Sequence, residues 1–183
     1  MSLKSPELPG SIEEIEKAIN EVFPGLTIFV RDANLPAGIA DIYKKGMILR
    51  EKAFVDASYR IQGMVTTHRY IILSNHLKDL SNFEHGTNWG LCVANRDSHF
   101  KVLGTHYYKG KTAIVLLHLP EDNRWKLFDG IHISLEEDLF DKAINSFKQK
   151  IERSPIPELT TKEWLQRCEF PIGIDDKGDL WPL

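Results

Sequence analysis

Between Met47 and Ile133 the chain is a succession of short runs rich in Val, Ile, Thr, Tyr and Phe, with no helical pattern among them. Runs of that composition, closed by turn residues, are strands. They fall at 47–50, 53–65, 69–74, 89–94, 99–108, 112–119 and 124–128. The punctuation is Thr66-Thr-His68, Asn95-Arg-Asp-Ser98, Lys109-Gly-Lys111 and Pro120-Glu-Asp-Asn123. Connections this short suit antiparallel hairpins, because a parallel crossover needs a dozen residues or more. The exception is 75–88, too long for a hairpin loop and of a length that often carries function.

Helical signals flank this block. Ser11-Ile-Glu-Glu14 is a capping box, and Ile12, Ile15, Ala18, Ile19, Val22 and Phe23 follow at helical spacing. Pro24-Gly25 ends that helix, and Leu26–Val30 reads as a strand. Leu35–Lys45 reads as a second helix, with Pro in its first turn and Gly46 past its end. Ser134-Leu-Glu-Glu137 and Thr160-Thr-Lys-Glu163 are further capping boxes, opening a helix over 135–153 and a short helix with Trp164, Leu165 and Cys168. The expected fold is α+β, a single antiparallel meander sheet of about six strands. Two N-terminal and two C-terminal helices would pack mainly on one face. Residues 1–183 form one domain in this reading, with 1–10 an irregular arm and 171–183 a tail that turns as a hairpin at Asp176-Lys-Gly178.

Composition narrows the function classes more than it selects one. The formal net charge is -3, with 42% apolar and 27% charged residues, as in ordinary globular domains. Residues 64–133 carry a net charge of only +2, and 134–183 carry -4. A nucleic-acid partner needs a basic stripe, so none is expected. The longest apolar runs, such as Ala113–Leu117, are too short to cross a bilayer, and no membrane partner is expected. The first residues lack an apolar core of signal-peptide length, and Cys92 and Cys168 read as reduced, so the expected location is cytoplasmic.

Gly104-Thr-His-Tyr-Tyr-Lys-Gly110-Lys111-Thr112 ends like a phosphate-binding loop. It has five residues between its glycines instead of four and is followed by a strand pattern instead of a helix, so it reads as a hairpin. Seven histidines lie between positions 68 and 132. They make no His-Glu-x-x-His, Cys-x-x-Cys or His-x-His spacing, so neither a metal nor any other cofactor is expected. The strongest local candidate is Phe83-Glu-His-Gly-Thr-Asn-Trp-Gly90. Glu84, His85 and Asn88 are the candidate catalytic residues: a carboxylate or amide can hold an imidazole in one tautomer for proton transfer. Adjacent residues of an extended chain point opposite ways, which weighs against a direct Glu84–His85 bond, and the plain alternative is a polar loop anchored by Phe83 and Trp89. Trp89, Tyr107 and Tyr108 are candidate binding residues, since aromatics give large contact area at low entropy cost.

The opening Ser11-Ile-Glu-Glu-Ile-Glu-Lys17 resembles the first helix of SUKH-type immunity proteins of bacterial toxin systems, over about a dozen residues. The chain departs from that family where a strand precedes Leu35-Pro36 and where its Asn-Gly-Gly turn is absent. The resemblance implies a binding protein. Together with the missing catalytic motifs, it makes a non-catalytic protein-interaction module of inhibitor or immunity type the leading expectation, with another protein as partner. The alternative is a small hydrolase-like enzyme with an acid/base histidine in the 75–90 loop.

Overall fold

β8 (Lys111–His118) is buried along six consecutive residues, Ala113 to His118, and β4 (His68–Ser74) from Arg69 to Ser74. Strands without polar alternation are covered on both faces, and that is the arrangement found in the computed structural model, which describes residues 11–183. The remaining strands are β1 (Thr27–Ala33), β2 (Ile48–Glu51), β3 (Val55–Ser58), β5 (Lys78–Asp79), β6 (Leu91–Ala94) and β7 (Ser98–Tyr108). The α-helices are α1 (Ile12–Val22), α2 (Ser134–Lys150) and α3 (Lys162–Arg167). The expected arm at 1–10 lies outside the described residues.

All eight strands join one sheet in the order β2-β7-β8-β4-β1-β3-β6-β5. The expected six-stranded antiparallel meander is therefore corrected to a mixed eight-stranded sheet. One interior pair, β4 and β8, is parallel, with Tyr70 opposite Ile114 and Ile72 opposite Leu116. The β7–β8 hairpin inserts β8 beside β4, and β1 and β2, β3 and β4, and β6 and β7, though consecutive in the chain, are not sheet neighbours. The expected helix at 35–45 is only a 3₁₀ turn at Ala40–Ile42, and the expected strand at 124–128 is a 3₁₀ turn at Asn123–Phe128.

Side chains alternate between two cores. Ala113, Val115 and Leu117 of β8 meet Ala18 and Val22 of α1 and Ala143, Ile144 and Phe147 of α2. Ile114 and Leu116 face the other way, onto Leu35, Tyr43, Ile172 and Ile174. That second face is closed by the 3₁₀ turn at Ala40–Ile42, loop residues and the tail, so the sheet is covered on both sides while α1 and α2 share the first face. The tail is tied by side chains. Arg31 Nη2 donates to Phe170 O at 3.0 Å, Tyr43 Oη to Ile172 O at 2.7 Å, and Gly173 N to Glu51 Oε2 at 3.0 Å. At the far end, Trp164 and Cys168 pack with Trp89, Leu91 and Val93 in a third cluster.

Local chemistry explains the ends. Ser11 Oγ accepts from Glu14 N at the start of α1, and Thr161, not Thr160, caps α3 by accepting from Trp164 N. α2 begins one residue before the expected start: Glu136, not Glu137, reaches back to Ile133 N at 2.9 Å. Its other oxygen pairs with buried Lys101 at 2.8 Å. The strand β7 bends at Gly104, where an added Cβ would meet the Phe140 ring at 2.8 Å.

Candidate functional site

The segment singled out in the sequence lies at the β5–β6 edge. Asp79 pairs with Cys92, and Asp79 Oδ1 accepts from both Ser81 N and Ser81 Oγ, which starts the turn at Ser81–Phe83. The Ser81 hydroxyl, with the Ser81 N–H, holds the Asp79 carboxyl below its usual range. Beyond the turn, Glu84 draws the chain back on itself. Its Oε1 accepts from Thr87 Oγ1 at 2.7 Å and from Trp89 N, and its Oε2 accepts from Leu91 N at 3.1 Å. Burial alone would raise its pKa; these donors outweigh that and lower it. Glu84 is thus the clasp of the loop and does not orient His85.

The clasp fixes Trp89. Its N–H is held by Glu84, its carbonyl accepts from Ser58 Oγ at 2.6 Å, and its ring lies 5.3 Å from Trp164, centroid to centroid. Asn88 has φ 53° and contributes its carbonyl, which accepts from Arg60 Nη1 at 2.6 Å. Its neighbour His85 is exposed, and its imidazole makes no hydrogen bond among the described residues.

The result is an open dish of about 270 Å³ lined by Leu80, Phe83, Glu84, His85, Thr87, Trp89, Leu91 and Arg167. Phe83 does not anchor the loop; it is 75% exposed, whereas Trp89 is 8% exposed. Arg167 comes from α3. Its guanidinium lies 5.2 Å from the Trp89 ring centroid, and its Nε donates to Asp56 Oδ2 at 3.1 Å. The dish therefore has apolar walls, an aromatic floor, and on its lining one guanidinium, one imidazole and the Glu84 carboxylate, which Thr87, Trp89 and Leu91 already engage. It can take a flat apolar ring and hold an anionic group beside it.

The structure brings Glu84, His85 and Trp89 together, with Asn88 contributing backbone only. It does not bring Tyr107 and Tyr108 to them. Those lie at the β7–β8 hairpin, five strand spacings from β6, or about 24 Å across the sheet. Tyr107 is 71% exposed, while Tyr108 is half-buried, with Lys109 and Lys148 each 5.4 Å from its ring centroid. The hairpin itself turns at Lys109-Gly110, both with positive φ, and Gly110-Lys111-Thr112 leads into β8. Arg167 was missed because it lies far along the chain. Its signal was the Trp164–Arg167 spacing, which puts both on one side of a capped helix turn.

The histidines disperse. His76 stacks on His118 at 3.8 Å, and His99 on Trp125 at 4.2 Å. Among the described residues, no three His, Cys, Asp or Glu side chains are grouped to hold a metal ion. Nor is any described helix long and apolar enough to cross a membrane.

The clasp yields a direct test. Glu84→Gln keeps the shape but puts an amide where three donors converge. The expected loss is about 2 kcal/mol of stability, measured by denaturant unfolding, with weakened protection of the Trp89 and Leu91 amides in hydrogen exchange. Unchanged protection at both would show that Glu84 is not the clasp.

No protein-family model matches the sequence, and no curated protein matches it. Solved structures are similar in part. The type III effector XopAI from Xanthomonas axonopodis pv. citri aligns at TM-score 0.46 and 15% identity, over 52% of this chain and 42% of its own. The ADP-ribosyltransferase HopU1 of Pseudomonas syringae pv. tomato aligns at TM-score 0.45 and 14% identity, over 51% and 45%. Exoenzyme S of Pseudomonas aeruginosa, bound to Carba-NAD and to human 14-3-3 protein beta, aligns at 0.43 and 16%, over 69% and 62%. The chain thus spans less than half the length of the first two. Similarity of this degree places no ligand, substrate or residue role on this chain. These similar structures are described as effectors and ADP-ribosyltransferases, which goes against the expected non-catalytic inhibitor or immunity module.

Proposed function

We propose that this chain is an enzyme that binds a nucleotide, a flat ring carrying phosphate, in the dish at Trp89. The observation that carries the reading is the dish itself: apolar walls, exposed Phe83, and the Arg167 guanidinium over Trp89 with His85 on the same lining. The ring lies against Phe83 and the rim of Trp89. The phosphate meets Arg167, whose Nη groups make no hydrogen bond among the described residues. His85, with its imidazole open to solvent, is the group placed to move a proton at the ligand. Another protein is the proposed further partner, met by exposed aromatics such as Tyr107 and Phe170. A cytoplasmic location belongs to the same proposal, since Cys92 and Cys168 are free and buried.

Isothermal titration with NAD and with AMP tests the reading on chemistry alone. Arg167→Met keeps the stem and removes the charge; binding is expected to weaken about tenfold or more. His85→Ala is expected to leave NAD affinity within about threefold while abolishing any turnover that the wild type shows. Failure of the wild type to bind either compound, or binding indifferent to Arg167→Met, would overturn the assignment.

A further inference from the structure

A second groove lies between the end of β1 and α3, lined by Asp32, Ala33, Asn34, Thr66, Thr160, Lys162, Leu165, Gln166 and Glu169. Its volume is about 420 Å³, larger than the dish. Its wall holds an unusual group. Asp32 is only 7% exposed, yet it lines the groove. Arg69 grips it from behind, with Nε donating to Oδ1 at 2.7 Å and Nη2 to Oδ2 at 3.0 Å. Arg69 is itself held by the carbonyls of Gln62 and Gly63, at 2.7 and 3.2 Å. The carboxylate is therefore fixed in position and its charge is balanced.

An ionised carboxylate has about four lone-pair sites. Arg69 fills two of those on Asp32, and the described residues supply no third side-chain donor. Burying such a pair is costly, and apolar side chains of equal volume would often serve stability as well. Around it stand groups without hydrogen-bond partners of their own among the described residues: the Nδ2 of Asn34, the amide of Gln166, the ammonium of Lys162 and the carboxylate of Glu169. Asn34 is oriented, because its Oδ1 accepts from Thr67 N at 2.9 Å.

We propose that this groove is a binding site for an uncharged polyhydroxylated ligand, a sugar ring or the sugar part of a larger molecule. The Arg69 charge removes the advantage that a cation would have at Asp32. What a neutralised, half-filled carboxylate accepts is a hydrogen bond from a hydroxyl, as a carboxylate does from ribose hydroxyls in dinucleotide sites. Hydroxyls both donate and accept, which matches the mixture of amide, ammonium and carboxylate opposite. Ala33 and Leu165 give the carbon face of the ring an apolar surface. The site is independent of the dish: groove and dish share no lining residue.

Titration of isotope-labelled protein with D-ribose and with D-glucose, followed by NMR, reads the groove directly. Glucosamine serves as a cationic counterpart of nearly the same shape. The expected result is a shift of the side-chain amides of Asn34 and Gln166 with at least one neutral sugar at tens of millimolar. Asn34→Ala and Gln166→Ala, both at exposed positions, are expected to weaken it about tenfold, with glucosamine binding no tighter than glucose. No shift with either sugar, shifts indifferent to both variants, or markedly tighter glucosamine would each overturn the proposal.

Discussion

Trp164→Ala is expected to lower stability by about 3–5 kcal/mol and to abolish nucleotide binding at the dish. Trp164 is 1% exposed and lies among the largest fully buried side chains. It is the main support beneath Trp89, and Leu159, Leu91 and Cys168 of the same cluster are too small to fill the void. With the support gone, the Trp89 ring can sink from the floor of the dish, and Arg167 loses the surface over which it is held. Trp164→Phe retains part of the ring, so it is expected to cost less and keep measurable binding. Denaturant midpoints for the two variants, read beside NAD titrations, check the coupling. A loss below about 1 kcal/mol in Trp164→Ala, or full binding in it, would show that this cluster does not support the site.

The second large effect is acid lability centred on His118. Burial, with His76 stacked on it, pushes its pKa down from the usual 6.5 to about 3. Ser74 Oγ lies 2.8 Å from Nδ1, while Nε2 is buried without a partner. The neutral ring is therefore the folded form. Above pH 6.5 both folded and unfolded chains carry neutral His118, and stability does not respond to it. As pH falls below 6.5 the unfolded chain takes up a proton that the folded chain refuses, so stability falls by about 1.4 kcal/mol per pH unit. The fall continues to about pH 3, where the folded ring also protonates. Burial lowers His76 and His99 too, which steepens the slope with the same sign. His118→Gln is expected to flatten the curve between pH 6.5 and 5, a window in which most carboxylates stay ionised. A variant with the wild-type slope would place the acid lability elsewhere.

The sequence pattern revealed the strand-rich middle and the capped helices, because these are local signals. It did not reveal the order of the sheet. Ala113–Leu117 has no polar alternation, a sign that both faces are covered, yet short connections point to an antiparallel meander with its helices mainly on one face. What places β8 beside β4 is long-range burial of Tyr70, Ile72, Ile114 and Leu116 in one core and Ile71, Val115 and Leu117 in the other. Leu35–Lys45 carries helix-boundary residues at both ends, but the segment is used to cap the second core, and Tyr43 is bonded there to Tyr70 at 2.6 Å.

At the site, the 83–90 segment stood out by residue type, and the structure gives those residues different tasks. Glu84 lies beside His85 in sequence, but backbone donors of Trp89 and Leu91 turn its carboxylate inward. Tyr107 and Tyr108 stand out as candidate binding aromatics, and Tyr107 is exposed, but strand order separates both from Trp89. Arg167 carries the positive charge of the dish and could be placed there only once α3 was docked against β6.

A crystal of this protein soaked with NAD tests the central claim most directly. The account predicts a ring of the ligand seated against Phe83 and Trp89, with a phosphate oxygen within hydrogen-bond reach of Arg167. A ligand bound elsewhere, or a dish that stays empty at saturating NAD while open to solvent in the lattice, would contradict it.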